Sequence, residues 1–367
     1  MTLRFTSEDV GIAPEIKDIM KEDRKNKSIK DITDLICLII NGNKKEKECC
    51  IKVDVVENVV TGYKYFSSYF KKLASQLDKA SEKNNNSGKT VIVINDPYNT
   101  SVSNTLKQLK PTKSVEVITT FEGGLVSLDT VADDIELSRE KQLLVVQAYN
   151  REYGMEYSVE ELEGIVTRLR NFSELVRGII IDAKYSFLHY RTLLNKIMER
   201  SIEIPIWIVS QTNTSLASLP GVIKIEANPR KKFPEEENSQ NKEIIDSGRK
   251  YSQKFISHLE KSLYLIEKEG IESWLNRHRR KAEIAHTRLP RYGFRPLYDI
   301  PEHRSIFVLS FKTPKGVSSF DIYSELESKG FIIDKPKDPD RITFSTMGPT
   351  TIGEFNALLE NIILYAI

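Results

Sequence analysis

At 367 residues, 40% hydrophobic and 29% charged, the chain is long enough for a large domain plus a smaller one, and too apolar for wholesale disorder. Lys and Arg number 54 against 52 Asp and Glu, and a net charge of +2 removes the usual electrostatic case for a nucleic-acid or membrane-surface protein. No apolar run approaches the ~20 residues of a membrane helix. Cys37, Cys49 and Cys50 form no metal-ligand pattern and MTLRFTSEDVG reads as no export signal, so a reduced, cytoplasmic setting is expected.

In chain order, a polar linker-like stretch, SEKNNNSGK at 81–89, precedes a series of short apolar runs. These are VIVI at 91–94, VEVI at 115–118, LLVV at 143–146, GIIID at 178–182, IWIV at 206–209 and VIKI at 222–225. Runs of this kind, separated by helix-compatible segments such as 158–175 and 191–200, predict buried strands of a mainly parallel α/β sheet. A second polar stretch, NPRKKFPEEENSQNKE at 228–243, is expected to be exposed. From Lys254 to about Leu289 apolar residues recur at helical spacing, with His258 on the apolar face as a packing residue. The remainder predicts a small α+β domain: IFVLSF as strand, SSFDIYSELESKG as helix closed by Gly330, FIID and ITFS as strands, and TTIGEFNALLENIILYAI as a final helix.

The order of these C-terminal segments carries a resemblance. EKEGIESWLNRHRRKAEIAHTRLPRYGFRPL, SSFDIYSELESKGFIID and DRITFSTMGPTTIGEFNALLENI resemble the small domain of 2-aminoethylphosphonate transaminases, class V aminotransferases of fold type I. TSEDVGIAPEIKDIM, VTGYKYF, NDPYNTS, AYNREYGM, IIIDAKYSF and SQTNTSLASLPG resemble successive segments of that family's large domain. The resemblance implies a fold type I, PLP-transferase-like α/β protein, with a large domain over 1–255 and connecting helices plus a small C-terminal domain over 256–367. The N-terminal segment is expected to pack on the small domain.

A pyridoxal-phosphate (PLP) transaminase needs a lysine to form the imine, an acid beside the pyridine nitrogen and donors for the phosphate. By resemblance Asp182, ending the IIID run, is the pyridine partner. Anchored on Leu219-Pro220-Gly221, the Schiff-base lysine position is Thr214, preceded by Asn213, and a threonine hydroxyl forms no imine. Lys184 and Lys224 are the nearest lysines, each expected as a solvated surface residue. The family's substrate-carboxylate arginine falls on Thr343, with Arg341 two residues upstream on the same strand face, itself read as a surface arginine. The Glu-Thr-Thr-Thr run becomes Asn150, Arg151, Glu152 and Tyr153, and the Gly-Ser-Gly phosphate turn becomes Val60 or Thr61 with Gly62, followed by Tyr63. Backbone N–H groups at that helix start remain candidate anion donors.

Other signals have ordinary explanations. RHRRK at 277–281 is expected as a solvated helix face, and the five histidines lack metal-ligand spacing. Tyr149, Tyr153, Tyr185 and Tyr190 are expected to gather at the strand ends, as packing or as a new aromatic-lined site. The reading is a catalytically degenerate aminotransferase-like scaffold or partner subunit with a phosphonate connection. It would be a homodimer, or a heterodimer with an active aminotransferase homologue, with no resident cofactor, nucleic acid or membrane. The alternative is an enzyme using another lysine, or PLP held non-covalently.

Overall fold

The computed structural model describes residues 3–5, 29–41, 51–82, 88–108, 115–119, 124–138, 140–185, 188–199, 204–216, 218, 220–227, 251–348 and 350–367. The expected loop at 228–243, the segment TSEDVGIAPEIKDIM, Cys49 and Cys50 lie outside the described residues.

Seven strands form the central sheet: β2 (Ile51–Glu57), β3 (Gly88–Ile94), β4 (Val115–Thr119), β5 (Lys141–Gln147), β8 (Val176–Asp182), β9 (Ile206–Gln211) and β10 (Gly221–Ala227). Their order is β2-β10-β9-β8-β5-β3-β4. The contiguous Val, Ile and Leu of β3, β5, β8 and β9 are buried on both faces, as parallel strands covered by helices must be. Strand β10 instead runs antiparallel to both neighbours. The few residues between β9 and β10 cannot supply a parallel crossover, and β2 then pairs antiparallel at the sheet edge.

Helices α1 (Ile29–Asn41), α2 (Val59–Glu82), α3 (Val102–Gln108), α4 (Leu128–Ser138), α5 (Val159–Arg170), α6 (Arg191–Glu199) and the single turn α7 (Thr212–Ser215) connect or cover these strands. Ser158 caps α5 in a reciprocal capping box with Glu161, an arrangement legible as S-x-x-E. Gly62 lets α2 lie close on the sheet, since a Cβ there would stand 2.6 Å from Val222 Cγ2.

The helical stretch after residue 251 breaks at Gly270 (φ 83°) into α8 (Gln253–Glu269) and α9 (Ile271–Arg288). Phe255, Leu259, Leu263 and Trp274 pack into the large sheet's core, so the expected boundary after residue 255 falls inside α8. A second core begins at Ala282 and gathers β12 (Val308–Lys312), α10 (Ser319–Ser328), β13 (Phe331–Ile333), β14 (Arg341–Ser345) and α11 (Ile352–Ala366). Strand β11 (Arg295–Pro296) extends the β12–β14 pair, and β1 (Leu3–Phe5) pairs in parallel with β13. No described helix is long and apolar enough to cross a membrane.

Candidate functional site

From β3 the chain crosses one way to β4 and then the other way to β5, so a topological switch point lies between β3 and β5. Ligand sites of open α/β sheets form outside the carboxyl ends of such strands. The segment leaving β3, Asn95-Asp96-Pro97-Tyr98-Asn99, is built of turn-forming residues. Gln147 at the end of β5 fixes it: Gln147 Oε1 accepts from Asn95 N at 2.8 Å and Asp96 N at 2.5 Å, while Asn95 Nδ2 donates to Gln147 O at 2.5 Å.

Asp182, Lys184 and Tyr185 project from the end of β8 into the same place. Asp182 is fully buried; its Oδ2 accepts from Ser103 N at 3.0 Å, and its Oδ1 has no hydrogen-bond partner among the described residues. Burial pushes the carboxyl above its ordinary range, against the Ser103 N–H, the Ser101 and Ser103 hydroxyls and the Lys184 amine. Lys184 is 1% exposed, which corrects the expectation of a solvated lysine. Its amine donates to Asn99 Oδ1 at 2.7 Å, Asn99 Nδ2 donates to Asp96 Oδ2 at 2.6 Å, and Asp96 Oδ2 also accepts from Arg151 N at 3.2 Å. The buried amine is accommodated by this chain of hydrogen bonds, which ends on the Asp96 carboxyl group. Tyr149 and Tyr185 meet edge to face at 4.8 Å beside it, and burial followed by Asp182 raises the Tyr149 pKa well above its ordinary value.

The other expected site residues divide. Asn213 is buried on α7, and Thr214 lies in the same turn. Asn150 is buried and accepts from Tyr153 N at 3.4 Å, holding the turn that follows β5. Tyr63 is buried in the α2 packing cluster with Phe66 and Phe70. At the start of α2, Thr61 N donates to Asn58 Oδ1 at 3.1 Å and Gly62 N to Asn58 O at 2.9 Å. Two donors expected of an anion cradle are thus engaged in the helix's own cap. Asp182 Oδ1 therefore suits a ring nitrogen, whereas Thr61 N and Gly62 N do not suit a phosphate seat.

Lys224 is the second correction. It is buried at the opposite edge of the sheet, 2.8 Å from Asp54 and 3.6 Å from Glu226, with its amine 4.1 Å from the Tyr69 ring centroid. Burial would lower its pKa; Asp54, Tyr69 and Glu226 outweigh that and raise it.

Facing the strand ends, the segment after β5 meets the small domain. Glu152 pairs with Lys337 at 2.7 Å, and the Arg341 guanidinium lies 5.2 Å from the Tyr153 ring centroid. Glu152 and Tyr153 thus stand where the resemblance places small hydroxyls, each with a partner across the cleft. Thr343 Oγ1 is 3.0 Å from Ser310 Oγ. A cavity of about 430 Å³, lined by Arg151, Tyr323, Ile332, Ile333, Arg341 and Thr343 among others, opens between the domains. Arg341 is only partly exposed, not the surface arginine expected from sequence. Tyr190, buried, lies near Glu156 rather than in this cleft.

The seam continues through β6 (Tyr149–Asn150) and β7 (Met155–Glu156), a short hairpin. Ser305 N donates to Gly154 O at 2.8 Å, Ile306 N to Glu156 Oε1 at 3.2 Å, and His303 Nε2 lies 2.7 Å from Glu161 Oε1. Burial raises the Glu156 pKa from 4.5 to about 7, opposed by the Ile306 N–H and the Ser305 hydroxyl. The folded chain therefore keeps a proton that the unfolded chain releases near 4.5. This contribution to stability is complete below that value and declines as pH rises to about 7. Glu156→Gln is expected to remove the decline and to be the more stable protein at pH 8, by about 2–3 kcal/mol in denaturant titrations.

RHRRK is the third correction. Arg279 and Arg280 are exposed, but Arg277 pairs with Glu269 at 2.8 Å, and His278 and Lys281 are fully buried. Lys281 Nζ donates to Thr346 O at 3.1 Å, Thr350 O at 2.6 Å and Thr350 Oγ1 at 2.9 Å.

No protein-family model and no curated protein matches the chain. Solved structures do. Pyridoxamine-pyruvate aminotransferase from Mesorhizobium loti superposes with a TM-score of 0.72 at 14% identity, over 99% of this chain and 91% of that one. Alanine–glyoxylate aminotransferase from Nostoc sp. gives 0.70 at 13%, over 99% and 95%. A SepCysS–SepCysE N-terminal domain complex contributes a chain at 0.61 and 15%, over 100% and 95%. At such identities the likeness is one of architecture, and by that measure the chain has the fold type I fold of the PLP aminotransferases.

Proposed function

We propose that this protein keeps the aminotransferase scaffold without transaminase chemistry and works as a scaffold or partner subunit. The observation that carries the reading is the engagement of Lys184. Of the three buried lysines among the described residues, only Lys184 lies beside Asp182, and its amine is held by Asn99 and, through it, Asp96. An imine-forming lysine must present an unencumbered neutral amine to a carbonyl, and this one is hydrogen-bonded into a buried network. Thr214 in place of the Schiff-base lysine, and the self-capped start of α2, support the same reading.

Partnership with a lysine-bearing homologue is the form this reading takes. SepCysS, a fold neighbour solved with a partner domain, is a precedent for complexes built on this architecture. A cytoplasmic setting and a phosphonate connection belong to the reading through the cysteine composition and the C-terminal resemblance, respectively.

The test is PLP titration of the purified chain, borohydride reduction and peptide mapping. No stoichiometric reduced adduct is expected. A stoichiometric pyridoxyl group on Lys184, absent from Lys184→Met, would overturn the proposal and establish the second reading, a PLP enzyme with a relocated lysine. That reading is favoured by one observation: Lys184 is buried and two residues from Asp182 at the same strand end.

A further inference from the structure

We infer that a second cavity, on the small domain and apart from the interdomain cleft, binds a small organic phosphate monoester through its dianionic phosphate, held by Arg295, Lys312 and Lys315. This cavity of about 620 Å³ is lined by Arg295, the loop Lys312–Ser318 and Asp340, and shares no lining residue with the interdomain one. Strand register sets Arg295 of β11 directly opposite Lys312 of β12. Like charges so placed repel, and β11 is a pairing of only two residues with little to offset the repulsion. An anion lodged between them turns that repulsion into attraction.

The ligand class follows from the charge balance. Lys312 lies 3.2 Å from Asp340, an exposed pair that contributes little, whereas Arg295 and Lys315, both exposed, have no carboxylate partner among the described residues. Three cations against one carboxylate leave two positive charges in excess, the match for a phosphate monoester above its second pKa of about 6. The Arg295 fork supplies parallel donors. The loop is already fixed, since Thr313 N donates to Asp340 O at 2.8 Å and Thr313 Oγ1 to Val317 O at 2.7 Å, so little ordering is needed on binding. Ser318 precedes α10 but makes no capping bond, which leaves its hydroxyl free to donate. Pro314, Val317 and Pro339 give apolar wall for the organic part. The inference goes beyond the proposed function and requires neither PLP nor a reactive lysine.

Phosphorus NMR titration of the whole chain tests it at pH 8 and constant ionic strength, with propyl phosphate, inorganic phosphate and dimethyl phosphate as probes. Propyl phosphate is expected to bind about threefold more tightly than inorganic phosphate, through its apolar body. Dimethyl phosphate, with a single charge, is expected to bind about tenfold more weakly than propyl phosphate. Arg295→Gln and Lys315→Gln are each expected to weaken propyl phosphate about tenfold, whereas Arg279→Gln, which removes the same charge from the exposed face of α9, leaves binding within about twofold. Without phosphate, Arg295→Gln is expected to unfold at no lower denaturant concentration than the parent, because it relieves the repulsion with Lys312; this separates loss of the site from loss of the fold. Absence of propyl phosphate binding, equal binding of dimethyl phosphate, or equal weakening by Arg279→Gln and Arg295→Gln overturns the inference. So does equal or tighter binding of inorganic phosphate, which would assign the cavity to the free ion, or a less stable phosphate-free Arg295→Gln. The borohydride experiment reads a covalent adduct on Lys184, so the two proposals fail separately.

Discussion

Gly154→Ala is expected to lower the unfolding free energy by about 4 kcal/mol, while Gly164→Ala raises it by roughly 0.5–1 kcal/mol. Gly154 has φ +64°, and a Cβ there would stand 2.8 Å from Ser310 N and 3.0 Å from Val308 O, both backbone atoms of β12. Backbone in a strand ladder cannot retreat as a side chain can, so the methyl group forces the two domains apart and weakens the Ser305 N–H to Gly154 O bond. A Cβ at Gly164, inside α5, meets nothing within 4 Å, and alanine simply improves helix propensity there. Paired denaturant titrations check both signs. Equal stabilities of parent and Gly154→Ala would show that the seam is looser than the geometry indicates.

Lys281→Ala should cost about 3–4 kcal/mol, because it empties a well-packed site and leaves the Thr350 carbonyl without its donor. Burial, reinforced by Arg277, lowers the Lys281 pKa from 10.5 to about 7. Here the folded chain gives up a proton that the unfolded chain keeps to 10.5. The contribution to stability is therefore complete above that value and is lost as pH falls through about 7. The parent protein should gain about 2 kcal/mol between about pH 7 and about pH 9, and Lys281→Ala should show a flatter profile. His278 shares the same acceptor: its Nδ1 lies 2.9 Å from Thr346 O, which requires the proton on Nδ1.

The sheet was readable because parallel strands buried on both faces leave uninterrupted apolar runs. Strand β2, IKVDVVE, and the hairpin of β6 and β7 were not. The first alternates polar and apolar residues at the sheet edge, and two-residue strands carry no period at all. Asp182 was legible as the acid ending a buried strand, whereas the burial of Lys184 was not, since Asn99 lies 85 residues away in sequence. A lysine between an apolar run and Tyr185 was the available hint. RHRRK held a stronger one: Trp274, His278, Lys281 and Ala285 recur at helical spacing on the buried face of α9, so reading the run as a charge cluster obscured two core residues.

Strand β1 pairs with β13, an element more than three hundred residues further along the chain. During synthesis β1 waits, without its partner, until the more than three hundred residues between the two strands have been made. Closing so long a loop adds little to the equilibrium cost but places this contact among the slowest to form. Until then the edge of β13 is open, and an equivalent strand from a second nascent copy can fill it as well as the chain's own. Crowded ribosomes on one message are where such an exchange of N-terminal strands would arise.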